Sequence, residues 1–201
     1  MGGKKISRKK RILLLLCSFI ILILYIFLIF FIWMMAKTPD EFMIKRKTRF
    51  EYQKGLECAG YSSAYVMRNF GEEASGTVLY REIKNKNPDG TVYSEELVKL
   101  LRAHGYRAYI KTGCLLSLKY DLSKNGKAVI ALCAEKPGSE YLHFLPVVGY
   151  DENNIYAADS LMYLTKENEN TVYNRIIKSS DFKKMWNTGY AINNVYIVVT
   201  K

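Results

Sequence analysis

An α+β domain standing behind a single membrane-spanning helix is the architecture this 201-residue sequence predicts. Three observations carry that reading. Residues 12–36 form one uncharged apolar run; helical periodicity marks much of residues 58–104; and strand periodicity takes over beyond residue 126.

The apolar run comes first. At about 1.5 Å rise per residue, residues 12–36 span more than the roughly 30 Å of hydrocarbon in a bilayer, and backbone in lipid must satisfy its own hydrogen bonds, so the run is expected to be a transmembrane helix. Trp33 lies near its far end, where indoles favour the interface. A cleaved signal peptide has an apolar core of only about 7–15 residues followed by small residues, and Met34-Met35-Ala36 is a poor match to such a site. An uncleaved anchor in a cell membrane is therefore expected, with residues 1–11 as a basic cytoplasmic tail. That tail holds Lys4, Lys5, Arg8, Lys9, Lys10 and Arg11 and no acidic residue, which by the positive-inside rule puts the domain outside the cell.

The formal charge of +11 is unevenly placed. With the six tail residues set aside, 24 basic face 19 acidic side chains, an ordinary surface balance. The short run Lys45-Arg46-Lys47-Thr48-Arg49 lacks the interleaved aromatics of a nucleic-acid-binding stripe, so no nucleic-acid partner is expected. Cys17 lies in the apolar run and Cys58, Cys114 and Cys133 beyond it, without the close pairs that thiolate metal sites use; no metal or cofactor is expected. Three cysteines in the domain do not suggest a disulfide scaffold, although a Cys114–Cys133 bridge is arithmetically open. Cys133, in Ala131-Leu132-Cys133-Ala134, reads as a buried strand residue.

Residues 37–52, with Pro39 and a cluster of basic side chains, read as a spacer, and the domain as residues 53–201. Within it, residues 58–70 form a mostly buried helix stopped by Gly71, with Cys58 in its first turn. A second helix covers 75–86 and ends at the turn Asn87-Pro88-Asp89-Gly90. A third opens at Ser94, with Glu95 and Glu96 at its positive end and Leu97, Leu100 and Leu101 as its apolar stripe, and stops before Gly105. Residues 106–112 alternate as a strand, 115–123 suggest a short helix, and Asn125-Gly126 a turn. Strands follow at 128–134, 141–150, 154–158 and 191–200, with a brief helix from Ser180 to Trp186. The N-terminal helices would thus pack on a C-terminal antiparallel sheet.

Two histidines make the search for a general base finite. His104 sits at a helix end beside Gly105, a structural position over the last carbonyls. His143 opens an apolar strand, and a second polar residue, Asp159, follows the next strand of the same hairpin. Register decides whether they meet. If Tyr150 pairs with Ile155 and the ladder continues regularly, Asp159 falls opposite Pro146, on the face away from His143; a three-residue loop or a bulge moves it opposite Leu145, diagonal to His143. The site therefore requires that irregularity, and Pro146, which cannot donate to a ladder, makes it credible. The start of a helix favours a thiolate at Cys58, and Gln53 stands five residues earlier, where its amide can face a developing oxyanion.

The segments Gln53-Lys54-Gly55-Leu56-Glu57-Cys58, His143 through Asp151, and Ala158-Asp159-Ser160 resemble the papain-like cysteine peptidases, in particular the bacteriocin-processing peptidases that cut after a double-glycine leader. The likeness extends over most of residues 53–162. Two positions depart from that pattern: Ala59 follows the cysteine where Gly is common, and Ser160 follows the aspartate where Pro is frequent. The resemblance implies a papain-like fold and four catalytic residues: Cys58 as nucleophile, His143 as base, Asp159 as orienting acid and Gln53 as oxyanion donor. It implies a peptide or protein substrate and either hydrolysis or acyl transfer. Competing expectations are an inactive relative that binds peptides or an envelope partner, and a structural membrane protein with Cys58 merely packed. Tyr61, Tyr106, Phe144 and Trp186 are candidate walls of a substrate cleft.

Overall fold

A computed structural model describes residues 7–124, 126–166, 172–189 and 193–201. It divides the chain into two compact units, Met1–Thr38 and Pro39–Lys201. The first holds α1 (Arg8–Lys37), capped by the Ser7 hydroxyl, which accepts from the Lys10 amide at 3.4 Å. By length and composition this helix can cross a membrane. It is longer than the uncharged run by one basic turn at the start.

The second unit is α+β. Its elements are β1 (Phe42–Met43), α2 (Cys58–Asn69), α3 (Gly76–Glu82), α4 (Ser94–Ala103), β2 (Arg107–Thr112), α5 (Leu115–Leu122), β3 (Lys127–Ala134), β4 (Leu142–Tyr150), β5 (Asn154–Ala157), β6 (Arg175–Lys178), α6 (Ser179–Trp186) and β7 (Val195–Thr200). Among the described residues the strands make one antiparallel sheet in the order β2-β7-β3-β4-β5-β6, and β1 pairs with the end of β4 beyond the stretch that β3 occupies. Alternation along the strands feeds two cores. Ile130, Phe144, Ile197 and Val199 face Ala59 and Val66 of α2 and Leu97 and Leu101 of α4. Val129, Ala131, Leu145 and Val198 face Leu118 and Leu122 of α5 and Phe182 and Trp186 of α6. Helices thus cover both faces of the sheet.

Several sequence expectations need correction. Residues 39–52 are not a spacer: Phe42 pairs with Tyr150, Phe42 and Ile44 pack against the α5–α6 core, and Phe50 packs in a smaller cluster with Tyr65 and Val148. The sequence hides this because the basic residues between them point outward. The second helix stops at Glu82, four residues early; Ile83 turns extended and buries its side chain, and the polar stretch after it has little to bury. Ser94 is the first helical residue of α4, with Tyr93 at the cap and no side-chain cap bond. β6 was not foreseen. All four cysteines are free, with Cys114 exposed and Cys133 fully buried, so no bridge joins them. Asn125 and residues 191–192, parts of an expected turn and strand, lie outside the described residues. Gly71 and Gly105, by contrast, both follow their helices with positive φ, as their cap positions require.

One departure in the ladder positions the site. Tyr150 does pair with Ile155, the register that misplaces Asp159 if continued. Between Gly149 and Val147 the pairing shifts by one residue at Val148, so Val147 meets Ala157, and the Ala158 amide donates to Pro146 O at 3.0 Å. The bulge required by the sequence argument is present.

Candidate active site

Cys58 is the first residue of α2. Glu57 precedes it at the cap position without a side-chain cap bond, its carboxylate instead accepting from the Lys54 amide at 3.2 Å. The helix is anchored under β4 by Ser62, whose hydroxyl donates to Phe144 O at 2.6 Å, one residue from His143. Cys58 is half-buried, neither sealed nor fully open.

His143 lies on β4 directly opposite Cys133 of β3 and is 3 % exposed. Its Nε2 is 2.9 Å from Asp159 Oδ1, and the Cys58 side chain lies near enough to act on the same ring. Burial works to lower the imidazole pKa, but hydrogen bonds with Asp159 and Cys58 and the charge of both outweigh it, raising it to about 9. For Asp159 burial works in the opposite sense, toward a neutral carboxyl; the His143 bond, the charges of His143 and Arg175 and the Leu161 amide overcome it and hold the carboxyl below the usual range. The pair therefore favours a charged imidazolium facing a charged carboxylate.

Gln53 is tied to the same segment. Its amide N–H donates to Ser160 O at 3.0 Å, its Oε1 accepts from the Ser160 hydroxyl at 2.6 Å, and its Nε2 donates to Gly55 O at 2.5 Å in the loop leading to Cys58. One of the two Nε2 hydrogens is thus committed within the chain. Ser160, a departure from the resembled pattern, holds the glutamine carbonyl.

All four sequence-selected residues are within this constellation. Around them the sequence reading missed Asn174 and Arg175. Arg175 Nη1 donates to Asp159 Oδ2 at 2.7 Å and Nη2 to Glu135 O at 2.6 Å, while the Asn174 side chain exchanges two 2.7 Å bonds with the Asp159 backbone. The β-branched and aromatic residues Val172, Tyr173, Ile176 and Ile177 were the available signal for a strand there, without apolar–polar alternation. Of the proposed aromatic walls, Tyr106, Phe144 and Trp186 are buried within the two cores, whereas Tyr61, 8 % exposed, lines a small pocket with Phe50, Tyr65, Asp159 and Ser160. Aromatic rings pack inward because the sheet is covered on both faces. His104 meets a carboxylate, Glu82, at 2.7 Å, not the helix carbonyls. Among the described residues no cluster of His, Cys, Asp and Glu could hold a metal ion.

Three solved structures are similar to the chain. The peptidase domain of Streptococcus ComA, a bifunctional transporter, matches with a TM-score of 0.57 at 16% identity, covering 75% of this chain and 96% of that one. A C39-like peptidase from Bacillus anthracis matches at 0.58 and 18% identity, covering 81% and 98%. The double-glycine-motif protease of a PCAT transporter, solved with a leader peptide, matches at 0.56 and 15% identity, covering 79% and 94%. The fold is that of the double-glycine, papain-like cysteine peptidases. No protein-family model and no curated protein matches the sequence. At these identities the likeness to the papain-like peptidases is one of fold, and the chemistry rests on this chain's own side chains.

Proposed function

We propose that the chain is a membrane-anchored cysteine peptidase using Cys58 as nucleophile, His143 as acid and base, Asp159 as orienting carboxylate and Gln53 as oxyanion donor. The observation that carries this reading is the buried His143, bonded through Nε2 to Asp159 with the half-buried Cys58 near enough to raise its pKa. A ring held this way takes the thiol proton and presents it to the leaving amine. Attack by the Cys58 sulfur on a peptide carbonyl forms the S–C bond and moves the carbonyl electrons onto oxygen; the second Nε2 hydrogen of Gln53 and the start of α2 meet that oxyanion. Collapse breaks the C–N bond as His143 protonates the amine, and water, deprotonated by His143, then releases the acid and regenerates the thiol.

The substrate is a peptide or protein segment. The cation-rich start of α1, with Arg8, Lys9, Lys10 and Arg11, favours a cytoplasmic amino terminus and an external domain. Protease added to intact cells should therefore cut the domain; protection until lysis would reverse the orientation.

Activity is tested with a pooled fluorogenic peptide library and the full chain in detergent. Wild type should cleave members of the pool, and Cys58→Ala and His143→Ala should lose turnover. Cleavage that survives Cys58→Ala would remove the peptidase reading.

A further inference from the structure

We infer that Asn174 and Arg175 are positioning residues that hold Asp159 in place and ionised, and through it keep His143 paired with Cys58. The inference deepens the proposed function and rests on it. Asp159 has a side chain with no exposure, and its carboxylate is met by three donors: His143 Nε2 at 2.9 Å, Leu161 N at 2.9 Å and Arg175 Nη1 at 2.7 Å. Only the last is a permanent cation. Arg175 is itself buried, and its second nitrogen holds Glu135 O, immediately after the strand that pairs with His143. The guanidinium is thus a strut fixing the carboxylate relative to the β3–β4 pair that carries the imidazole.

Asn174 fixes the backbone of the same residue. Its Oδ1 accepts from Asp159 N and its Nδ2 donates to Asp159 O, both at 2.7 Å, while its own amide donates to Ala157 O at 3.1 Å. The side chain continues the β5–β6 ladder by one step after the strands part. Side chain and backbone of Asp159 are both held from this pair of residues.

The charge count gives Arg175 its chemical weight. With Cys58 ionised in the proposed mechanism, thiolate, imidazolium and carboxylate carry one net negative charge, and the guanidinium beside the buried Asp159 cancels it. Without that cation a proton must enter the group, and neutral Asp159 no longer stabilises the imidazolium. The ionisable groups around Asp159 are His143 on β4, Arg175 on β6, Cys133 on β3, and Tyr163, whose hydroxyl donates to Glu135; Cys58 on α2 acts through His143. Arg175 is the guanidinium among them.

The test follows iodoacetamide alkylation of Cys58 against pH by peptide-resolved mass spectrometry, which separates it from Cys17, Cys114 and Cys133. The full chain is used in detergent, with library turnover measured in parallel. Arg175→Met should move the acid limb of the alkylation profile up by about one pH unit and cut turnover about tenfold or more at neutral pH. Arg175→Lys, which keeps the charge, should restore the limb while recovering turnover only in part. If Arg175→Met does not fold, Arg175→Gln must show the same displaced limb. A charge-free variant that folds and alkylates with the wild-type profile overturns the inference. Wild-type turnover independent of Cys58 would instead overturn the peptidase reading, so the two failures are distinct.

Discussion

At the scale of single residues, the site is a chain of partners in which each group fixes the next. Arg175 and the Leu161 amide hold Asp159, Asp159 holds Nε2 of His143, and Cys58 acts on the same imidazole. Ser160 holds the carbonyl of Gln53 and so sets which way its NH2 points. Asp159→Ala breaks the centre of this chain. It should lower kcat/KM by roughly 10²–10⁴, since the imidazole loses its orienting partner. It should also cost about 3–5 kcal/mol of stability, because Arg175 is left buried without its counter-charge. Library turnover and urea unfolding measure the two effects separately. A variant with wild-type kcat/KM would remove Asp159 from the mechanism.

At the scale of elements, close backbone approaches put α2 where it is needed. A Cβ on Gly60 would lie 2.4 Å from Gly76 O and 2.6 Å from Tyr80 N, both backbone atoms of α3 that cannot swing aside. Gly60→Ala should therefore destabilise by about 1–3 kcal/mol and, by pushing α2 from α3, reduce turnover as well; chemical unfolding and activity together check it. Gly149 plays the same part for β1, whose backbone Phe42 O stands 2.7 Å from where its Cβ would be. The elements that depend on local pattern were legible in the sequence. Acidic residues opening α4, glycines closing α2 and α4, and the apolar runs of β3 and β4 each declare themselves over a few residues. The His143–Asp159 meeting was legible only as a condition, because register depends on where a bulge falls, and the shift at Val148 is set by packing over the whole hairpin. What could not be read was long-range pairing. β1 is two residues long and pairs with a strand about 100 positions away, and Arg175 reaches Asp159 and Glu135 from a four-residue strand in which it looks like a solvated residue, as Lys178 is, until the fold brings it inward.

At the scale of the whole molecule, the buried charges set a pH window for stability. His143 has a folded-state pKa of about 9, above its ordinary value, so its contribution is complete below about 6.5 and is lost as pH rises toward 9. Asp159, Asp121 and Asp151 are held below the usual carboxylate range, Asp151 at about 2 by the Tyr156 hydroxyl and its own turn. Their contributions are present above about pH 4 and are lost as pH falls through the folded values. Melting temperature should therefore fall on both sides of a plateau near pH 5–6.5, and the alkaline fall should be smaller in Cys58→Ala, which lacks one of the groups that raise His143. A melting temperature flat from pH 6 to 9 would contradict this.

The most direct measurement of the central claim is an NMR titration of the two imidazoles, His104 and His143, in the full chain and in Cys58→Ala. A buried His143 titrating near 9 in wild type and clearly lower without the sulfur is the predicted result. A His143 that titrates near 6.5, or at the same pH with and without Cys58, would show that no thiol–imidazole pair exists.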